Sequence, residues 1–319
     1  MSTFTSINAE ALERVRGKTV VASVSGGKDS TAMALLLKEH GIPFVPVFLD
    51  TGWEDDETYA YIRGPLADAI GPVTEISGPE TMEELVLRKG MFPSRQRRFC
   101  TEELKRKPMA KFLSWLMDGG FEVVNAVGIR RDESASRASA SEWEWSDEFD
   151  CHVWRPLVDW TMDDVVGIHR RHGVRPNPLY LNGAERVGCF PCIMARKSEI
   201  RMIADTRPER IDRLRQLEAD VGVLARERHS DRVQRFSTGG VNALTKKERE
   251  FAVDESGGLK PFHRPAWFQG QDGKTMLIDE VVKWSRTSRG GSQFEMFAAS
   301  GRDQGCMRWG LCDHGSGEP

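Results

Sequence analysis

The feature that most constrains this chain is a strand–turn–helix near its start. Thr19 to Ser23 is a short, largely apolar run rich in β-branched residues, and Ser25-Gly26-Gly27-Lys28-Asp29-Ser30 follows it. Thr31 to His40 then has the pattern of a helix, with Gly41 as its stop signal. Glycines at such a junction let backbone approach a ligand closely, and the free N–H groups of the helix start form an anion site. Lys28 adds a point charge, and the Ser25 and Ser30 hydroxyls add donors. The spacing is not that of Walker A, which places four residues between Gly and Gly-Lys, nor is it G-x-G-x-x-G. The loop is suited to an oxyanion.

The same alternation continues downstream. Phe44 to Leu49 reads as a second buried strand, followed by the acidic turn Asp50-Thr51-Gly52 and a helix from about Asp56 to Ile70. Val73 to Ile76 is a short third strand, Lys105 to Met117 a helix, and Glu122 to Val127 a fourth strand. Near-continuous apolar strands alternating with helices predict an α/β fold with a doubly wound, mostly parallel sheet. The pattern weakens after about residue 150. Thr161 to His172 reads as a helix with Asp163 and Asp164 in its first turn, where the dipole favours them. Arg196 to Arg249 is charged and mostly helical, with 14 Lys and Arg against 9 Asp and Glu. The tail from Gly257 has no clear periodicity. The expected division is a sheet domain over 1–195 and a smaller helical or irregular region over 196–319.

With 319 residues, the chain is long enough for two average domains, or for one large α/β domain with an appendage. Apolar residues make up 39% and charged residues 29%, with 48 acids against 45 Lys and Arg, which excludes collagen-like, coiled-coil and fully disordered chains. The longest apolar runs, such as Ala32 to Leu37, are too short to cross a bilayer. Glu10 and Glu13 occupy the N-terminal stretch, which has no apolar signal region. A soluble, cytoplasmic protein with no membrane partner is expected. In that setting Cys100, Cys151, Cys189, Cys192, Cys306 and Cys312 are thiols or metal ligands sooner than disulfides.

Ser25-Gly26-Gly27-Lys28-Asp29-Ser30 after a buried strand resembles the signature of the PP-loop ATP pyrophosphatases, the adenine-nucleotide α-hydrolase group with its Rossmann-like fold. Further segments narrow the resemblance to the PAPS reductase-like branch. They are Leu49-Asp50-Thr51-Gly52, Phe99-Cys100-Thr101 with Glu103-Leu104-Lys105, and Gly128-Ile129-Arg130-Arg131-Asp132-Glu133-Ser134 with Arg137. Arg155-Pro156-Leu157 before Trp160, Asn177-Pro178-Leu179-Tyr180 and Gly188-Cys189 complete the set. The likeness is nearest to phage, mobile-element and DNA phosphorothioation-type members.

The resemblance implies an enzyme that splits ATP, with Mg²⁺, between the α and β phosphates, adenylylates an acceptor and releases pyrophosphate. Sulfur transfer or nucleic-acid modification is the implied setting. Ser25, Gly26, Gly27, Lys28, Asp29 and Ser30 would hold the β and γ phosphates. Lys28, Asp29 and Arg130 are the implied catalytic residues, with Lys28 and Mg²⁺ stabilising charge on the leaving pyrophosphate. Asp50 and Thr51, at the carboxyl end of the second strand, are placed to meet adenine, ribose or magnesium. Gly128, Arg130 and Arg137 follow the fourth strand on the ligand side, where forked guanidinium groups suit an oxyanion. Glu133 pairing with Arg130 or Arg137 is the structural alternative, and Lys105 and Arg106 are weaker phosphate candidates. Glu54, Asp55, Asp56 and Glu57 read first as dipole complements in a helical turn and only second as a metal site.

Cys189-Phe190-Pro191-Cys192 is a C-x-x-C able to ligate one metal or to form a redox disulfide. By the resemblance, Cys100, Cys189, Cys192 and Cys312 would hold a [4Fe–4S] cluster, with Cys306 the alternative fourth ligand and Zn²⁺ the alternative metal. Cys151 reads as core. Two alternative functions remain. One is PAPS reduction, although the tail Gly310-Leu311-Cys312-Asp313-His314 departs from the Glu-Cys-Gly-x-His of those reductases. The other is a non-catalytic nucleotide-binding accessory factor of a phage, defence or CRISPR-associated system. The expected partners are ATP and a nucleic acid or sulfur carrier, with a homodimer left open. Arg207, Arg210, Arg213, Arg215, Arg226, Arg228, Arg232 and Arg235 can track a phosphate backbone, yet interspersed Glu209, Asp212, Glu218 and Asp220 mark an ordinary solvated face. Trp143, Trp145 and Trp154 read as packing residues before base-stacking ones.

Overall fold

Strands of near-continuous apolar sequence need cover on both faces, and the arrangement provides it. The computed structural model describes residues 7–269, 274–287 and Trp309. The chain divides into two compact units, one of Met1–Thr81, Phe99–Cys192 and Gly291–Pro319, the other of Met82–Arg98 and Ile193–Gly290.

The first unit is built on a six-stranded sheet: β1 Thr19–Ser23, β2 Phe44–Asp50, β3 Thr74–Ser77, β4 Val123–Val127, β5 Trp143–Ser146 and β6 Cys151–Trp154. The order is β3-β2-β1-β4-β6-β5, parallel except for β5, which pairs antiparallel with β6 at the edge. The fold is therefore α/β and mostly parallel. Alternation along the strands sends Val20, Ala22, Val124 and Ala126 to one face and Val21 and Val123 to the other. The first face is covered by the Lys28–Glu39 helix, whose residues 31–37 are all buried, together with Val165 and Ile168 of the Met162–Arg171 helix. The second face is covered by Met109, Leu113 and Leu116 of the Lys107–Asp118 helix. Cys151 packs in this second core and is a structural thiol.

Local chemistry explains the helix ends. Thr161 accepts from the Asp164 N–H, while the Asp164 carboxylate accepts from the Thr161 N–H at 2.8 Å, a reciprocal cap. The long helix expected after β2 is interrupted: Asp56–Tyr61 passes into a wider π turn at Ile62–Leu66, which contains Pro65, before Ala67–Ile70. Proline lacks the N–H that a regular turn would need there.

The second unit is helical: Met82–Lys89, Lys197–Thr206, Pro208–Gly239, Lys246–Ala252 and Ile278–Ser285, with a small hairpin of Phe268–Gln269 and Thr275–Met276. Several of its cations form internal ion pairs. Arg215 pairs with Asp212 and Asp279, Arg235 with Asp231 and Glu248, and Arg213 with Glu83. Glu218 is the buried hub of the unit. Its carboxylate accepts the N–H of Trp267 at 3.0 Å and of Ile278 at 2.9 Å, joining the hairpin and the last helix to the long one. Burial pushes its carboxyl above the usual range, and the two backbone donors oppose that shift. Glu218→Ala strands two buried donors, so the unfolding free energy should fall by about 2–3 kcal/mol, with a smaller loss for Glu218→Gln. Chemical denaturation of the three proteins measures the difference.

Candidate active site

The sheet order reverses between β1 and β4, since the chain runs outward through β2 and β3 on one side and through β6 on the other. Open α/β sheets bind ligands at the carboxyl ends of the two strands flanking such a switch point. The loop after β1 is Ser25-Gly26-Gly27, and the loop after β4 is Gly128 to Arg137.

Gly26 has φ +69°, a left-handed conformation open to glycine, and Gly27 is the uncapped N-cap of the Lys28–Glu39 helix. Ser30 braces the loop from inside. Its hydroxyl accepts from the Ser25 N–H at 3.1 Å and donates to the Gly27 carbonyl at 3.0 Å, so it shapes the cradle before it serves any ligand. The Ser25 hydroxyl lies 3.3 Å from it. Gly128 is where β4 approaches the helix start. A Cβ there would sit 2.8 Å from both the Asp29 carbonyl oxygen and the Ser30 Cα.

The two loops are tied by charge. Arg130, only 1% exposed, donates Nε–H to Asp29 Oδ1 at 2.6 Å and Nη1 to the Trp160 carbonyl at 3.2 Å. Asp29 Oδ2 is 3.2 Å from Lys28 Nζ. Arg130 Nη1 also lies 3.3 Å from the Asp132 carboxylate, so Lys28 and Arg130 together face Asp29 and Asp132 at the start of the helix. Arg137 is half-exposed and pairs with Glu133, the structural alternative weighed for it. Arg131 pairs with Asp159, and Arg106 with Glu148.

A second set of side chains braces the loop from behind. Tyr180 accepts the Lys28 N–H at 3.1 Å and lies under the Lys28 ammonium, 5.3 Å from ring centroid to Nζ. His169 Nε2 is 2.9 Å from the Lys28 carbonyl and Nδ1 is 3.2 Å from the Val174 carbonyl. Burial holds the imidazole below its ordinary pKa. A neutral ring carries one N–H and donates to one of these carbonyls. Trp309 packs edge-on to His169, centroids 5.1 Å apart, and tilts against Tyr180 at 6.2 Å. The sequence reading found Tyr180 only as part of a motif and missed His169 and Trp309 altogether.

After β2, Tyr59 donates to Asp50 Oδ1 at 2.6 Å and the Gly52 N–H donates to the same oxygen at 2.8 Å. Burial and the Asp50 and Glu54 carboxylates push the Tyr59 phenol well up. Asp50 Oδ2 has no hydrogen-bond partner among the described residues. Thr51 is buried and donates its hydroxyl to Glu54 at 2.9 Å. Glu54 is itself 2% exposed and also accepts the Thr51 and Trp53 N–H groups. Asp55 caps the next helix through the Glu57 N–H. The dipole-and-cap reading therefore accounts for Asp55, while Glu54 is a hydrogen-bond hub.

The C-x-x-C is clamped onto this turn. The Phe190 N–H donates to the Trp53 carbonyl at 2.8 Å, and Trp53 Nε1 donates to the Pro191 carbonyl at 3.0 Å across a cis Phe190–Pro191 bond. Cys189 Sγ lies 3.8 Å from Glu54 Oε1 and 3.7 Å from Thr51 Oγ1. Burial pushes its thiol up to about 11 against the pull of Lys105. Lys105 faces Cys189, Glu54 and Cys192, which hold its ammonium above the usual range. Cys100 is buried with a raised thiol and lies within electrostatic reach of Cys192, whose sulfur accepts from Arg186 Nη2 at 3.4 Å. Three of the four expected ligands thus share one neighbourhood, but among the described residues no three His, Cys, Asp or Glu side chains are grouped as a metal site. Cys306 and Cys312 lie outside the described residues.

The family model of the phosphoadenosine phosphosulfate reductase domain matches residues 19–195. The chain belongs to that family. All the loops described above fall inside the matched span. A 37.8 kDa protein of Escherichia phage 186 is 30% identical over 92% of this chain and 96% of its own length. An adenosine 5'-phosphosulfate reductase of Streptomyces coelicolor is 31% identical over 50% of this chain, which spans 66% of that reductase. A PAPS reductase structure from Candida auris covers 57% of this chain at 18% identity and a TM-score of 0.46. Among the described residues no helix is long and apolar enough to cross a membrane.

Within this reductase-like domain, Arg130→Met leaves the Asp29 carboxylate buried without its main partner. A loss of about 3–5 kcal/mol is expected in denaturant titrations. Gly128→Ala should also destabilise the domain, by about 1–3 kcal/mol, because the methyl group meets the backbone of Asp29 and Ser30 and the helix start must shift to admit it; denaturant titration reads this.

Proposed function

We propose that this chain cleaves ATP between the α and β phosphates, transferring the adenylyl group to an acceptor and releasing pyrophosphate. The observation that carries the reading is the Gly26–Gly27 turn at the uncapped start of the Lys28–Glu39 helix, fixed at the switch point by the Asp29–Arg130 pair. The residues of this chain would bind and orient. Backbone N–H groups at Gly26 and Gly27 meet the β and γ oxygens. Lys28 reaches the leaving pyrophosphate, and Arg130 fixes Asp29 so that Lys28 stays aimed. Asp50, with one carboxylate oxygen free of hydrogen bonds among the described residues, fits the single carboxylate that Mg²⁺ takes beside substrate phosphates. Bound there, Mg²⁺ would offset phosphate charge.

The thiols fit an iron–sulfur cluster in donor type, and Lys105 and Arg186 offer countercharge beside Cys189 and Cys192. We therefore assign Cys100, Cys189 and Cys192 as ligands of a [4Fe–4S] cluster, with Cys312 the fourth and Zn²⁺ the alternative. Anaerobic purification with iron and sulfide analysis tests it, and an iron-free, colourless protein overturns it. The acceptor belongs to sulfur transfer or nucleic-acid modification in a cytoplasmic setting.

α-Labelled ATP should yield labelled AMP or adenylylated acceptor with unlabelled pyrophosphate, and Lys28→Ala should lower the rate at least about a hundredfold. ADP and phosphate as products would overturn the reading. The likeness to adenosine 5'-phosphosulfate reductase favours a second one, sulfonucleotide reduction. Sulfite release from a sulfonucleotide with thioredoxin would decide for it.

A further inference from the structure

The charge of this protein is segregated by unit. The segments Met82–Arg98 and Ile193–Gly290 together carry 25 Lys and Arg against 17 Asp and Glu, a net +8, so the rest of the chain is at −11. A near-neutral total hides a cationic unit. Part of the long helix's charge is engaged, because Arg213, Arg215 and Arg235 are paired with carboxylates. Arg226 lies over the Phe262 ring, and Arg232 over that of Phe251.

A dense run of cations lies in the segment 88–98, which holds five Lys and Arg in eleven residues and no acid. This segment is built. Phe92 is buried edge-on against Trp267, with ring centroids 5.5 Å apart. Gly90, at φ +65°, lets Arg228 of the long helix lie against its backbone, and Arg228 Nη2 donates to the Arg88 carbonyl at 3.1 Å. A Cβ at position 90 would collide with that guanidinium. Ser94 and Arg97 then close a tight turn: the Ser94 N–H donates to the Arg97 carbonyl at 3.1 Å, and the Arg97 N–H donates to the Ser94 hydroxyl at 3.2 Å. Arg95, Arg97 and Arg98 are exposed on this turn, as Arg228 is beside it, and none of the four has a carboxylate partner among the described residues.

We propose that the turn Ser94–Arg98, with Arg228, is a docking surface for the phosphate backbone of a nucleic acid. Guanidinium groups without carboxylate partners, carried on a turn whose backbone is fixed, suit successive phosphates, and the +8 field of the unit favours a polyanion over a single small anion. No large apolar side chain of the segment is exposed, so it lacks the apolar face that membrane binding uses.

Fluorescence anisotropy with a labelled 30-nucleotide single-stranded DNA, the matching duplex and the matching RNA tests this on the full chain. The variant Arg95→Ala/Arg97→Ala/Arg98→Ala should bind its best probe at least about tenfold more weakly at low salt. Its log–log salt slope should be lower by about two for a single strand, or nearer three for duplex DNA. Lys246→Ala/Lys247→Ala, which removes two exposed cations elsewhere in the unit, should stay within about twofold of the parent. Melting curves of all variants report whether each is folded. No binding of any probe, equal weakening in both variants, or preferential binding to anionic phospholipid vesicles overturns the proposal. Lys28→Ala should bind nucleic acid as the parent does, which separates failure here from failure of the ATP chemistry.

Discussion

A guanidinium buried to 1% exposure is tolerated only where its charge and its N–H groups are met, and at Arg130 they are met by Asp29 and by the Trp160 carbonyl. That pair lies at the point where the sheet reverses its strand order, and it joins the loop after β1 to the loop after β4. Asp29 is the second residue of the helix that follows β1, so fixing its side chain fixes the helix start and the backbone donors there. Among the described residues, the acceptor Lys28 leans toward is the far oxygen of the same carboxylate. Without Arg130, the buried Asp29 carboxylate would keep, among the described residues, only Lys28 to offset its charge.

The same economy of charge governs the turn after β2. Glu54 is as buried as most core leucines, and it accepts from the Thr51 N–H, the Thr51 hydroxyl and the Trp53 N–H, with the Tyr59 hydroxyl oxygen 3.2 Å away. Its charge is what sits near Cys189, and Lys105 answers it. The thiols are therefore embedded in a balanced polar cluster rather than in an apolar core like that of Cys151. This contrast separates the cysteines more firmly than their spacing does.

The sheet was legible wherever its strands are apolar throughout, as in β1, β2 and β4, because burial on both faces demands such runs. β5 escaped notice. Trp143–Ser146 alternates aromatic and polar residues, and it is held at the edge by Trp143 stacking on Trp154 at 5.2 Å, a partner that no local pattern names. The phosphate-type loop was legible for the opposite reason, since its chemistry lies in six consecutive residues. Its supports were not. Arg130, His169 and Tyr180 reach Asp29 and Lys28 across 101, 141 and 152 residues, and a single sequence carries no signal for contacts of that span. The segment 82–98 shows the same limit. It interrupts the sheet unit in sequence yet groups with the helical one, because Glu83 pairs with Arg213 and Phe92 meets Trp267.

One device recurs in both units. At two positions a glycine stands where a charged group, or the segment that carries one, comes closer to backbone than a Cβ would permit. At Gly128 the missing Cβ lets the helix start carrying Asp29 approach the end of β4. At Gly90 it lets the Arg228 guanidinium lie against the chain beside the basic turn. In each case the glycine gives up some conformational entropy on folding, which costs about 0.5–1 kcal/mol. The return is a fixed charge, and a fixed charge loses less on meeting an anion than one on a freely rotating side chain. Close backbone approach at a glycine is therefore the physical property shared by the glycine-rich loop after β1 and the basic turn, although one lies in the acidic unit and the other in the cationic one.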